Sequence, residues 1–286
     1  MAKLLEGKIL AENIKSGMLK DIEDLKLKKN APLVLSSIEI GENAATSIYT
    51  NAQKKCAQSL GIDYQLNKLD STVSEQKLIE FIQKLNNDKA VNGIILQMPL
   101  PGQIDYKKIS QFIAEDKDIE GINPVNLGKI IFSRAKLVPC TAGAVMELVN
   151  HTGIDLMGKS VVIVGHSEIV GKPLSLLFLD KLATVTVCHI GTSRAGKLSD
   201  YVALADVLVV AVGKPGLIKG EWIKKDAVVI DVGINRVDNK VVGDVEFETA
   251  GKSASWITPV PGGVGPLTVM MLMRNLIMAA KLQVGG

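Results

Sequence analysis

Tyr49 and Gln53 stand four residues apart in SIYTNAQKK, so on a helix a phenol and an amide share one face. Gln97 closes the apolar run GIILQ, near the carboxyl end of a strand, where ligands of open α/β sheets usually lie. The segment DKDIEG, Asp116 to Gly121, gathers charge beside a glycine. PVPGGVGPLT, Pro259 to Thr268, has glycine enough for backbone to approach a ligand closely. Each feature also has a plainer reading: a packing tyrosine, a satisfied core glutamine, an exposed turn and a domain connector.

A second group surrounds a glycine turn. The strand SVVIV runs straight into Gly165-His166-Ser167-Glu168-Ile169-Val170-Gly171-Lys172-Pro173, and helix follows. In that arrangement backbone N–H groups and the positive end of a helix meet a pyrophosphate. Gly165 and Gly171 are six apart, unlike GxGxxG, so a tight βα turn of any α/β protein accounts for the spacing equally well. The further strands TVTVC, VLVVAV and AVVIDV favour a cofactor domain. The second of these four strands ends Cys188-His189-Ile190, with neither the acid that suits NAD nor the base that suits NADP. Arg194 lies nearby in GTSRAG, a segment read as a loop, so these residues leave the dinucleotide open.

The elements that must position these groups follow from periodicity. Ile9, Leu10, Ile14, Met18, Ile22 and Leu25 predict a helix over 9–28, and PLVLSSIEI predicts a strand. A second helix over 44–60 is closed by Gly61, IDYQLNKL is a strand, and Thr72 with Glu75 predicts a capping box before SEQKLIEFIQKLNN. VNGIILQMPLP is an apolar strand of the kind covered on both faces. A βαβ series starts near Ser160, and an apolar helix over 266–282 could join either half. Length predicts two domains with a boundary near Pro139. The fold class is α/β, its second half a doubly wound parallel sheet.

Composition narrows the function classes. Hydrophobic residues make up 47%, charged 22% and aromatic 4%, the balance of a soluble globular protein. A net charge of +3, scattered, argues against nucleic acid. Cys56, Cys140 and Cys188 lie far apart, without metal-ligand spacing, which predicts no metal site and a reducing, cytoplasmic setting. Lys3, Glu6 and Lys8 interrupt the start, and no eighteen apolar residues run unbroken, so neither a signal peptide nor a membrane partner is expected.

Taken in order, SIYTNAQKK, GIILQMPLP, DKDIEGINPVNLG, VPCTAGAV, VIVGHSEIVGKP, KGEWIKKDAVVIDVGINR and TPVPGGVGPLTVMMLM resemble the methylenetetrahydrofolate dehydrogenase/cyclohydrolases over essentially the whole chain. The resemblance implies a folate-binding N-terminal α/β domain (1–139 plus 266–286), a Rossmann-like dinucleotide domain (140–265) and a homodimer. It places the folate against Tyr49, Gln53, Leu96, Gln97, Met98, Glu120, Pro261, Gly262, Gly263, Val264 and Gly265. Tyr49, Gln53, Gln97 and Glu120 stand at the catalytic positions. Thr141, Gly165, His166, Ser167, Ile169, Ile190, Arg194, Gly213 and Ile234 fall to the dinucleotide.

Four positions depart from that family's pattern: Gln53 replaces a lysine, Glu120 an aspartate, His166 an arginine, and Ala142 the proline of PCTP. Hydride transfer is mostly positioning, whereas hydrolysis of the methenyl cation needs a group that exchanges protons near neutral pH. An amide has no accessible protonation change. Lys54 is rotated about 100° away on the helix. The expectation is therefore oxidation of methylenetetrahydrofolate with an impaired cyclohydrolase step. The alternatives are a fully bifunctional enzyme and a silent folate- or dinucleotide-binding relative. His166 and Ile190 offer little to the extra phosphate of NADP, so of NAD and NADP the expectation leans to NAD.

Overall fold

Parallel strands rich in Val and Ile alternate with helices along the chain. The computed structural model describes residues 1–41, 43–238 and 240–285, and of residues 44–46 the backbone alone. The elements begin β1 (Lys3–Leu4), α1 (Gly7–Lys29), β2 (Val34–Ile40), α2 (Ala44–Ser59), β3 (Asp63–Leu69), α3 (Glu75–Asn87), β4 (Val91–Leu96), α4 (Tyr106–Ser110), α5 (Pro124–Ile131) and α6 (Cys140–His151). They continue β5 (Ser160–Val164), α7 (Gly171–Leu179), β6 (Thr184–Cys188), α8 (Ile190–Arg194), α9 (Leu198–Val202), β7 (Val207–Val210) and β8 (Val228–Asp231). The last are β9 (Asn235–Val237), β10 (Lys240–Val242), α10 (Phe247–Ser253), β11 (Trp256–Ile257) and α11 (Val264–Val284). The chain forms two compact units, one of Met1–Glu12 with Thr141–Thr268, the other of Asn13–Cys140 with the residues from Val269 onward.

In the second of these, a parallel sheet runs β3-β2-β4. The central strand β2 is buried along its whole length although it contains Ser36, Ser37 and Glu39. Buried hydroxyls need partners, and these have them: Ser36 Oγ accepts from Asn67 Nδ2 at 2.8 Å and Ser37 Oγ from Gln97 Nε2 at 3.0 Å. α3 buries Leu78, Ile79, Ile82 and Leu85 in a core shared with Ile38, Ile94 and Leu96. Removing each from water contributes about 1.5–3 kcal/mol.

The capping box expected at Thr72 and Glu75 does not form. Asp70 Oδ1 instead accepts from both the N–H and the hydroxyl of Thr72, an Asx turn that delays the helix, and Ser74 becomes its N-cap by accepting from Lys77 N. DKDIEG is likewise not an exposed turn. Ile94 N donates to Lys117 O at 2.8 Å, which bridges the segment to β4, and the buried Lys117 donates to the carbonyls of Leu85 and Asp88. Lower in α11, Asn275 Nδ2 donates to Ile119 O and Val138 O at 2.8 and 2.9 Å, tying both ends of the segment following DKDI.

The other unit holds a six-stranded parallel sheet, β1-β11-β8-β7-β5-β6, with β9 and β10 as an antiparallel pair beside it. Residues 1–12 count with this unit because β1 pairs in register with β11. Val162, Val164, Leu208, Val210 and Val229 fill one side of its core. α11 is long and apolar enough to cross a membrane, yet more than half of the qualifying stretch is buried within protein.

Candidate functional site

In the three-stranded unit, α2 carries Tyr49 and Gln53, β4 delivers Leu96 and Gln97 at its carboxyl end, and the bridged segment delivers Glu120. Gln53 is fully buried. Its Oε1 accepts from Gln97 Nε2 at 2.8 Å and from the Tyr64 hydroxyl at 2.9 Å. The helical spacing thus turns Gln53 inward and leaves Lys54 exposed. Loss of water raises the Tyr49 hydroxyl well above its usual range, and charge on Cys140 and Glu120 adds to this.

Glu120 has the most altered environment. Burial and, after it, repulsion by Asp118 push its carboxyl up, the Leu96 amide partly offsets both, and the result is about 8. Asp118 is 1% exposed and is also raised by burial, but it is held by the amides of Gly121 and Asn123 and by Asn126 Nδ2, so its work is to shape the loop. Among the described residues Thr50 Oγ1, Gln53 Nε2 and Glu120 Oε2 are sealed from solvent without a partner. Each such atom costs about 1–3 kcal/mol, and together they mark where a polar ligand would bond. Met98, 48% exposed, begins the departure of the chain through a cis bond to Pro99.

Sequence reasoning missed Tyr64, Ser37, Asp118 and Cys140. Ile62 and Tyr64 alternate inward on an otherwise exposed or half-buried strand, a period-two signal that could have found Tyr64. No sequence signal marks Ser37, because a serine in a central strand reads as a blemish until its partner is known.

Pro261, Gly262, Gly263, Val264 and Gly265 belong to the six-stranded unit. The glycines here serve the chain itself: Gly7 N donates to Gly262 O at 3.0 Å, and a Cβ on Gly7 would lie 1.7 Å from Gly263 O.

The glycine turn of the same unit is built from backbone. Gly165 has φ +126°, and a Cβ there would stand 2.4 Å from Ala211 O; one on Gly171 would stand 2.1 Å from Gly165 O. Those two contacts explain the six-residue spacing. Ser167 Oγ accepts from Val170 N at 3.1 Å and shapes the entry to α7, and Gly213 donates its N–H to Asp244 Oδ2 at 2.9 Å. This fits a dinucleotide, whose phosphates need uncluttered backbone. GTSRAG is not a loop: His189 Nδ1 accepts from Gly191 N and Thr192 Oγ1 from His189 N, which starts α8 and puts the exposed Arg194 at its end. The rings of His166 and His189 lie 5.2 Å apart, Ile169, Ile190 and Ile234 are exposed, and Thr141 sits half-buried in the first turn of α6.

Comparison with known proteins gives one answer. Residues 5–120 match the family described as tetrahydrofolate dehydrogenase/cyclohydrolase, catalytic domain, and residues 139–284 match its NAD(P)-binding domain. The bifunctional protein FolD of Acetivibrio thermocellus is 49% identical over 283 residues, covering 99% of this chain and 98% of that protein. Among solved structures, the bifunctional FolD of Campylobacter jejuni is similar with TM-score 0.94 and 39% identity over 99% of both chains. The Trypanosoma brucei FolD, complexed with NADP cofactor and inhibitor, is similar with TM-score 0.93 and 36% identity over 100% of this chain and 99% of that one.

Proposed function

This chain belongs to the tetrahydrofolate dehydrogenase/cyclohydrolase family and oxidises methylenetetrahydrofolate with a nicotinamide dinucleotide, and we propose that it does so with the hydrolytic step largely lost. A bound nicotinamide would supply the acceptor for the hydride leaving the methylene carbon. Positioning dominates that step. Gln97, Gln53 and Tyr49 hold the pterin, and Glu120 bonds its N–H groups. Gly165, Ser167 and Gly213 line the dinucleotide, the glycines by leaving room for its close approach since their N–H groups are spent on Cys188 O and Asp244 Oδ2, with Thr141, His166, Ile169, Ile190, Arg194 and Ile234 around them.

Adding water to the methenyl cation asks more, because protons must move on and off oxygen and nitrogen. The observation that carries the proposal is Gln53: fully buried, its oxygen occupied by two donors, and unable to titrate. General acid–base participation contributes about 10²–10⁴-fold, so methenyl hydrolysis is lowered by that range. Gln53→Lys is the test. Hydrolysis rising toward the hydride-transfer rate supports the assignment, and no gain in a folded variant contradicts it. A second reading, full bifunctionality, has two observations in its favour: the similar relatives are named as bifunctional FolD proteins, and Glu120, near 8, can exchange a proton close to neutral pH.

We infer a lean to NAD, since His166 lacks the forked guanidinium that suits a 2′-phosphate and Ile190 donates nothing to one; the Trypanosoma brucei relative with NADP is the counterweight. A homodimer in the cytoplasm, with no nucleic-acid or membrane partner, completes the reading, supported by family membership and a net charge of only +3.

A further inference from the structure

We propose that Tyr64 is a positioning residue for the oxidation: its hydroxyl fixes the amide of Gln53 so that Nε2 is the donor offered to the folate. The case is a directional set of hydrogen bonds converging on one amide. Gln97 Nε2 has two hydrogens and spends them on Ser37 Oγ at 3.0 Å and Gln53 Oε1 at 2.8 Å. Tyr64 in turn donates its own proton to Gln53 Oε1 at 2.9 Å. Both lone pairs of that oxygen are thereby taken.

Turning the Gln53 amide over would aim its Nε2 at two groups that already donate, in a place sealed from water. The penalty for buried unpaired donors forbids this. Nε2 is left without a partner among the described residues, so the pocket presents a donor where the ligand must present a lone pair. Tyr64 is held in its own right, since it is the buried residue of β3 and only 9% exposed. It does not touch the ligand in this account; it acts through Gln53.

The inference rests on the placement of folate against Gln53, and the experiment separates the two. Hydride transfer is followed at varied methylenetetrahydrofolate for the unaltered protein, Tyr64→Phe, Gln53→Met and the double variant. Tyr64→Phe is expected to raise the folate KM about three- to tenfold, the span of one neutral hydrogen bond, with the dinucleotide KM unchanged. In the Gln53→Met background the same change is expected to add less than about twofold, because nothing remains to be oriented. An equal factor in both backgrounds, or none in the unaltered one, overturns the role of Tyr64. An unchanged folate KM in Gln53→Met overturns the placement of the folate instead. The folate-induced rise in Tm, read for each variant against its own unliganded baseline, separates lost binding from lost stability. It should shrink in Tyr64→Phe, and an undiminished rise contradicts the proposal.

Discussion

The folate side and the dinucleotide side of this enzyme are made in different ways. Around Gln53 the site is a set of buried side chains in which every bond depends on residue identity: an amide oxygen shared by Tyr64 and Gln97, and a carboxyl sealed beside Asp118. At Gly165 it is backbone shape, and the side chains around it are largely exposed. Exchange of one polar group should therefore alter chemistry in the first region and only affinity in the second.

The severest way to break this contrast is Gly165→Ala. A Cβ 2.4 Å from Ala211 O, on a backbone with φ +126°, costs on the order of 3 kcal/mol, so dinucleotide affinity should fall about a hundredfold by direct titration while folate binding stays within twofold. Folate binding that fell equally would show that the two regions are not separable.

Glu120→Gln comes next and probes the buried side. Loss of a charge-assisted acceptor should raise the folate KM about tenfold to thirtyfold at pH 9, where the carboxylate is the main form. The unliganded protein should respond the other way. A carboxyl held near 8 favours its protonated form, so its contribution to stability is complete below the ordinary glutamate range, fades as pH rises and is gone above about 8. The variant should accordingly be more stable than its parent by about 1–2 kcal/mol at pH 9, read by denaturant titration. In the unaltered enzyme the folate KM should fall about tenfold between pH 7 and 9 as Glu120 ionises, and stay flat in Glu120→Gln.

His166→Arg is the mildest. A guanidinium on an exposed turn should shift the NADP-to-NAD ratio of kcat/KM toward NADP by about three- to tenfold. A larger shift would show that side chains govern this region too.

Strands were the most legible part of the molecule, because Val- and Ile-rich runs such as SVVIV and VLVV have few other uses. Tyr49, Gln53 and Gln97 were legible through helical spacing and the strand end. Helix starts were harder. Asp70 captured Thr72, and His189 made a helix out of a segment that reads as a loop, both through short-range side-chain bonds that propensity does not rank. The bonds that join Ser37, Gln97, Gln53 and Tyr64 were invisible because the residues are far apart in sequence and meet only when β2, β3 and β4 align. Charge density in DKDIEG suggested solvent, whereas the bridge to β4 buries it.

The most direct test compares two rates in one sample of unaltered protein at pH 7: hydride transfer from methylenetetrahydrofolate and hydrolysis of added methenyltetrahydrofolate. A pocket that holds its ligand but cannot shuttle protons predicts hydrolysis slower than hydride transfer by about 10²–10⁴. Hydrolysis that keeps pace with hydride transfer would contradict it and hand the proton work to Glu120.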